Sequence, residues 1–454
     1  MSERALLEPV LDRRARADYA GARREALDTL AVLESEPEPS PRDLFEVLIE
    51  LGRLHHELGD GDEGEAVLSR AVELADADLL RSRALARLAA VHQDEGRFRE
   101  AEATAREALE LAAGEPLETA DALTLVADVQ RGAAAYAEAE PGYLRAFELV
   151  ESASPGLERE RIRLRALSGL GSVHRARGRY AEAEPVLREA IAVSERVFGT
   201  EALETANALN DLGILFKYSG RFDEAEPLYR RALSILERAV GEMHASAASI
   251  YHNLGGLEHA RGNYAGAEPH ARRSVEIRRE VVGPDHPSAA ADEAALASIL
   301  YALHKDDEAE ELLRDALPVY ERVFGEEHYE VSVHLNNLAA IRQRRGALGE
   351  AEALYRRSLA MKEKLIGSQH PVLANTLNNI AVICRRQERF EEAAGLYRRA
   401  LELLEAGVEA THPTLATTRR NYAALLRAIG REDEAQSVAA QASSRGKSTG
   451  SEPV

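Results

Sequence analysis

Along residues 204–240 the apolar side chains fall at helical intervals, pause, and then resume at helical intervals. Leu209, Leu212 and Phe216 stand at i, i+3 and i+7, which places them on one face of a first helix. Ser219 and Gly220 interrupt that pattern, glycine supplying the turn conformation. Ala225, Leu228, Tyr229, Ala232, Leu233 and Leu236 then mark a second amphipathic helix, which Gly241 ends. Small residues at Gly213, Ala225 and Ala232 let the two helices approach closely. The pattern predicts a pair of antiparallel helices, here called helix A and helix B.

The pair is repeated. Gly178-Arg179-Tyr180-Ala181-Glu182-Ala183 returns as Gly220-Arg221-Phe222-Asp223-Glu224-Ala225. Degraded copies follow at Gly262, His304, Gly346, Glu388 and Gly430, each 42 residues after the last. His244, His286, His328, His370 and His412 keep the same interval. A fixed period of this size predicts a stacked solenoid whose neighbouring units share one continuous core. Counted by the helix-B alanine, ten units fall at 22, 64 (a glycine), 101, 139, 183, 225, 267, 309, 351 and 393, with a terminal one at 435. Residues 1–150 form irregular, acidic repeats, and residues 151–440 form regular ones with a C-terminal cap. Residues 441–454 are polar, Ser/Gly-rich and expected to be disordered. Glu34–Pro41 reads as a stiff acidic connection and residues 152–160 as a longer linker. Pro185, Pro227 and Pro269 are expected in the first turn of helix B, where a missing N–H costs least, and so to fix where that helix begins.

Composition narrows the class. A single core does not grow to 454 residues. No window approaches 18 uninterrupted apolar residues, so no membrane span is expected. Met1-Ser2-Glu3-Arg4 leads into a charged helix rather than a secretory apolar run. Cys384, the one cysteine, excludes an internal disulfide and reads as a small core residue; a reducing, cytoplasmic setting is expected. The net charge of −21 is uneven, because residues 1–150 hold 17 Arg, no Lys and 33 Asp plus Glu. That balance argues against nucleic acid, which requires a basic stripe to displace counterions.

The arrangement of Gly213, Gly220, Phe222, Ala225, Tyr229 and Ala232 resembles the tetratricopeptide repeat signature. The loops Gly283-Pro284-Asp285-His286-Pro287 and Gly367-Ser368-Gln369-His370-Pro371 are similar to those of the 42-residue, kinesin light chain-like type and its bacterial relatives. So are the helices Leu335-Asn336-Asn337-Leu338 and Leu377-Asn378-Asn379-Ile380. The resemblance implies an all-α, right-handed superhelical solenoid of about ten to eleven helix pairs, with helix A lining the concave surface.

On that face, five positions share one side of helix A: 18, 15, 11, 8 and 7 residues before the helix-B alanine. They carry Asn207, Asn210, Ile214, Lys217 and Tyr218, then Ser249, His252, Gly256 and His259. Later units carry Asn336, Gln343 and Arg344, then Asn375, Asn378, Arg385 and Arg386, then Arg420 and Arg427. No acid stands among them, whereas the same offsets earlier give Asp94, Asp121 and Asp128 beside Arg83, Arg131, Arg165 and Arg175. Asparagine both donates to and accepts from a peptide backbone, and arginine clamps carboxylates. The competing reading is that asparagine packs helix A and arginine is merely solvated.

Chemistry other than binding finds little support. The five loop histidines lie one per repeat, too far apart to share a metal, and order the loop before helix A. Metal, nucleophile and phosphate-loop motifs are missing, so no catalytic residue, metal or cofactor is expected. The best-supported function is a protein-interaction adaptor whose groove holds an extended or helical, acidic-leaning segment. A ligand- or peptide-sensing solenoid and a self-assembling or filament-associated protein are the alternatives.

Overall fold

A computed structural model describes residues 3–15, 19–58, 60–407 and 413–443. Of these residues 84% are helical and none is in a strand. Among the described residues twenty-two helices follow one another as consecutive A/B pairs. In every pair from Tyr19–Glu34 to Glu432–Ser443, the residue used to count the units is the fourth of helix B. Ala22, Ala101 and Ala139 are fully buried there, so the irregular early units share the register of the later ones.

The unit at 203–240 shows why the pair forms. Leu203–Tyr218 is helix A and Phe222–Val240 is helix B. Leu209, Leu212 and Phe216 are buried against Tyr229, Ala232 and Leu236. Helix B approaches so closely at Gly213 that a Cβ there would lie 2.7 Å from the Tyr229 ring. Between the helices Gly220 takes φ +77°, a left-handed conformation that costs other residues about 1–2 kcal/mol. Where the motif is degraded the backbone does not relax, and Ala134, His304 and Glu388 hold φ near +60° at the corresponding turn.

Three expectations change. Pro185, Pro227 and Pro269 are the sixth residues of their helices, not first-turn residues: the helices begin at Tyr180, Phe222 and Tyr264. Helix B is set by the turn, and the proline removes one hydrogen bond inside its second turn. Residues 157–160 are not linker but the first turn of the 20-residue helix Leu157–Ala176. The last helix runs to Ser443, so only residues 444–454 of the expected tail lie outside the described residues.

Charge holds neighbouring units together in a repeated way. Arg221, beside the turn glycine, donates to Glu224 of its own helix B and, at 2.6 Å, to Glu184 of the preceding one. Arg179 likewise joins Glu182 and Glu140, and Arg389 joins Glu392 and Glu352, while Arg261 joins Glu226 of the preceding helix B to Glu258 of its own helix A. One planar guanidinium bridges two carboxylates in each clasp, a geometry that a lysine ammonium lacks. The excess of arginine over lysine thus has a structural use.

The chain forms two compact units, Met1–Ile299 and Leu300–Val454. Within the first, successive helices A from Pro41–Leu58 to Ala245–Ala260 pack on one another, while successive helices B scarcely meet. Helix A therefore lies on the inner, shorter-radius side. That unit also curls far enough for the Tyr19 hydroxyl to meet His244 Nε2 at 3.3 Å.

Candidate functional site: the helix-A wall

In the first unit the wall at 207–259 is a polar ladder. Asn253 donates to Asn210 at 2.8 Å, and Lys217 donates to Asn253 at 3.4 Å. Burial first, then Arg175, pulls the Lys217 ammonium down to about 8. Tyr218 stays 59% exposed, with Arg175 and Lys217 each over its ring at 5.1 and 5.3 Å. Asn207 is exposed. His252 is tied down: its Nδ1 lies 2.7 Å from Asp292, which also accepts from Ser274 and Arg278. His259 packs edge-on against Tyr264, and burial lowers its pKa. The two histidines share a recess of about 140 Å³.

In the second unit the candidate residues divide. Asn336 accepts from Thr376, and Asn378 accepts from Asn421 at 3.0 Å. These amides join neighbouring units, as packing asparagines would, while Asn375 is exposed. Gln343 buries an oxygen that finds no partner among the described residues. Arg344 forms a two-pronged clamp on Asp306, donates to the Tyr301 carbonyl at 2.8 Å, and stacks 3.6 Å above the Tyr301 ring. The expectation that no acid stands beside Arg344 is therefore corrected. Asp306 opens helix B, outside the offsets read along helix A. Arg427 is 3.6 Å from Glu432. Arg385 is half-buried, Arg386 and Arg420 are exposed, and none of the three meets a carboxylate among the described residues.

The wall at 49–165 lines a larger recess of about 320 Å³. Arg165 donates to Asp121 at 2.8 Å and stands 3.2 Å from Asp128. The buried Tyr143 hydroxyl donates to Asp128 at 2.6 Å and accepts from Arg131 at 3.1 Å. Here Asp121 and Asp128, acids legible at these offsets, are internal partners of arginine. Arg53 and His56, 11 and 8 residues before Gly64, also line this recess, and so does Arg87, which lies outside the offsets. A usable signal existed one residue beyond the positions read. Fourteen residues before the helix-B alanine stand Arg87, Asn253 and Asn421.

His244, His286 and His328 cap helix A, and His370 orders the turn before it. Nδ1 of His244, His286, His328 and His370 accepts from the backbone N–H two residues on, at 3.1–3.3 Å. That requires an unprotonated Nδ1. His412 lies outside the described residues. Glu352, Cys384 and Glu392 converge as three potential metal ligands, but Arg356 and Arg389 already donate to both carboxylates, and burial pushes the Cys384 thiol up. No described helix is long and apolar enough to cross a membrane.

The profile of the tetratricopeptide repeat matches residues 43–113, 162–238, 246–322, 288–364, 330–406 and 372–447. A second tetratricopeptide repeat profile matches residues 210–280. No curated protein matches the chain. Among solved structures, a Rap protein complexed with competence and sporulation factor is similar over 89% of this chain and 98% of its own, with 16% identity and a TM-score of 0.50. BtubC (BKLC) from P. vanneervenii is similar over 52% of this chain and 92% of its own, at 22% identity and a TM-score of 0.40. A putative kinesin light chain with nearly identical repeats from Podosopora anserina covers 45% of this chain and 96% of its own, at 24% identity and a TM-score of 0.39.

Proposed function

The chain belongs to the tetratricopeptide repeat family, and from that premise we propose that it is a protein-interaction adaptor rather than an enzyme. Tetratricopeptide repeat proteins generally mediate protein–protein interaction. The helix-A wall is the binding surface, and its ligand is an extended or helical segment carrying Asp, Glu or a C-terminal carboxylate. One observation carries the reading. Arg385, Arg386 and Arg420 stand on the wall of the second unit without a carboxylate among the described residues, although acids outnumber bases in the chain. Asn375 and Asn378 stand on the same helix as the first two, and the exposed Asn375 is free to meet a peptide backbone.

The test begins with a crosslinking pull-down from native extract to obtain the partner. Its affinity is then measured by calorimetry at two salt concentrations for the wild type and for Arg385→Glu with Arg386→Glu. Reversing both charges should cost about 2–5 kcal/mol of binding and slow association, as loss of desolvated charge pairs does. Circular dichroism should be unchanged. Undiminished affinity in a folded double variant would sink the reading.

A further inference from the structure

The recess at 49–165 holds five arginines and three aspartates in the most acidic part of the chain. Each aspartate has a partner already. Asp121 takes Arg165, Asp128 takes the Tyr143 hydroxyl and Arg165, and Asp94 lies 3.3 Å from His56. Arg83 reaches out of the recess to both oxygens of Glu46. Arg87 differs, with no hydrogen bond or ion pair among the described residues. Desolvation comes first in pulling its guanidinium below the ordinary value; Asp121 opposes that pull and Arg165 adds to it. Solvent still reaches the side chain, so the recess is open and its positive charge is available.

We propose that Arg87 is the anchor of a second binding site, which takes the side-chain carboxylate of a glutamate on an acidic peptide segment. A guanidinium presents paired donors that match a carboxylate in the bidentate geometry; Asp121 and Glu50 act on Arg87 through space, but no described acid completes that pair. The volume of about 320 Å³ lies at the lower end of ligand-pocket sizes and suits one side chain. Ile49 and Leu125 give the recess an apolar side for the methylene stem of glutamate. Asp121 and Asp128 in the lining disfavour a phosphate dianion. The inference rests on the reading that helix A binds a protein segment, but it places a contact in the first unit, apart from Arg385 and Arg386.

The experiment uses the full chain and acetylated, amidated hexaglutamate as the probe, titrated by calorimetry at physiological salt. Acetylated, amidated hexaglycine and inorganic phosphate serve as competitors. The wild type should bind hexaglutamate, and Arg87→Ala should weaken it at least tenfold with Arg87→Lys in between. Hexaglycine and phosphate should fail to displace the probe, and in the Arg385→Glu, Arg386→Glu background Arg87→Ala should still weaken the remaining hexaglutamate binding at least tenfold. If Arg87→Ala does not fold by circular dichroism, Arg87→Gln takes its place. Unaltered affinity in a folded Arg87 variant, absence of wild-type binding, or displacement by phosphate at equal concentration would overturn the inference. Loss of probe binding only in the Arg385/Arg386 variant would overturn it and leave the adaptor reading standing.

Discussion

At residues 121–165 the helix-A wall is neutralised from within, whereas at 375–420 it is not. Arg165 meets Asp121 and Asp128, and Arg131 shares Tyr143 with Asp128. Arg385 occupies the same helix-A offset as Arg131, and neither it nor its wall neighbours Arg386 and Arg420 face a described carboxylate. An equivalent position in a repeat therefore does not imply an equivalent role. What decides the role is whether a neighbouring helix supplies an acid, and Arg344 on Asp306 shows that the acid can come from helix B.

The largest expected effect that separates the two units is that of acid. Burial lowers the pKa of His55, His259, His270 and His286 in the first unit and of His328 and His334 in the second. Each stays neutral in the fold below the pH at which it would charge in the unfolded chain. The unfolded state then binds more protons, so stability present above about pH 6.5 is lost as pH falls. Asp211, pushed up to about 6 by burial, acts with the opposite sign and offsets part of the loss in the first unit. Melting followed between pH 7.5 and 5 should show falling stability, with the first unit giving way first by hydrogen exchange. Acid-independent melting would remove the capping and burial roles of these histidines.

Next in size is a hydroxyl that differs between the two regions. Tyr143 and Tyr397 occupy the same position of helix B and are both fully buried. Tyr143 donates to Asp128, whereas the Tyr397 hydroxyl has no partner among the described residues. Tyr143→Phe should lower stability by about 1.5–3 kcal/mol, the range for a hydrogen bond to a charged group. Glu388→Gly should raise stability by about 0.5–1 kcal/mol, because the exposed Glu388 is held at φ +62°. Smallest of all, Tyr397→Phe should be neutral or slightly stabilising, since it removes an unsatisfied buried group. Denaturant titration of the three variants reads all three, and equal losses at Tyr143 and Tyr397 would erase the contrast between the two walls.

Much of the fold was legible because it is local and repeated. The spacing of Leu209, Leu212 and Phe216 and the glycine at 220 describe one helix pair, and the 42-residue interval multiplies it. The proline reading failed because helix B begins at the turn, five residues before Pro185. Of the wall, the offsets placed Asn378, Arg385 and Arg386 together on one helix but could not say which groups were already engaged. Asn210 and Asn378 proved to be joined to asparagines of the next unit.

The sequence by itself determined the helix pair, its period, its core positions and the family to which the chain belongs, since each depends on residues within one repeat. Only the tertiary structure decided which charges remain available. Arg344, Arg165 and Arg87 look alike along the chain, but their partners come from other helices at separations of 38 residues for Arg344–Asp306 and 44 for Arg165–Asp121, and no described residue forms a hydrogen bond or ion pair with Arg87. Pairing of that kind depends on how far one unit is rotated upon the next, which no pattern within a single repeat specifies.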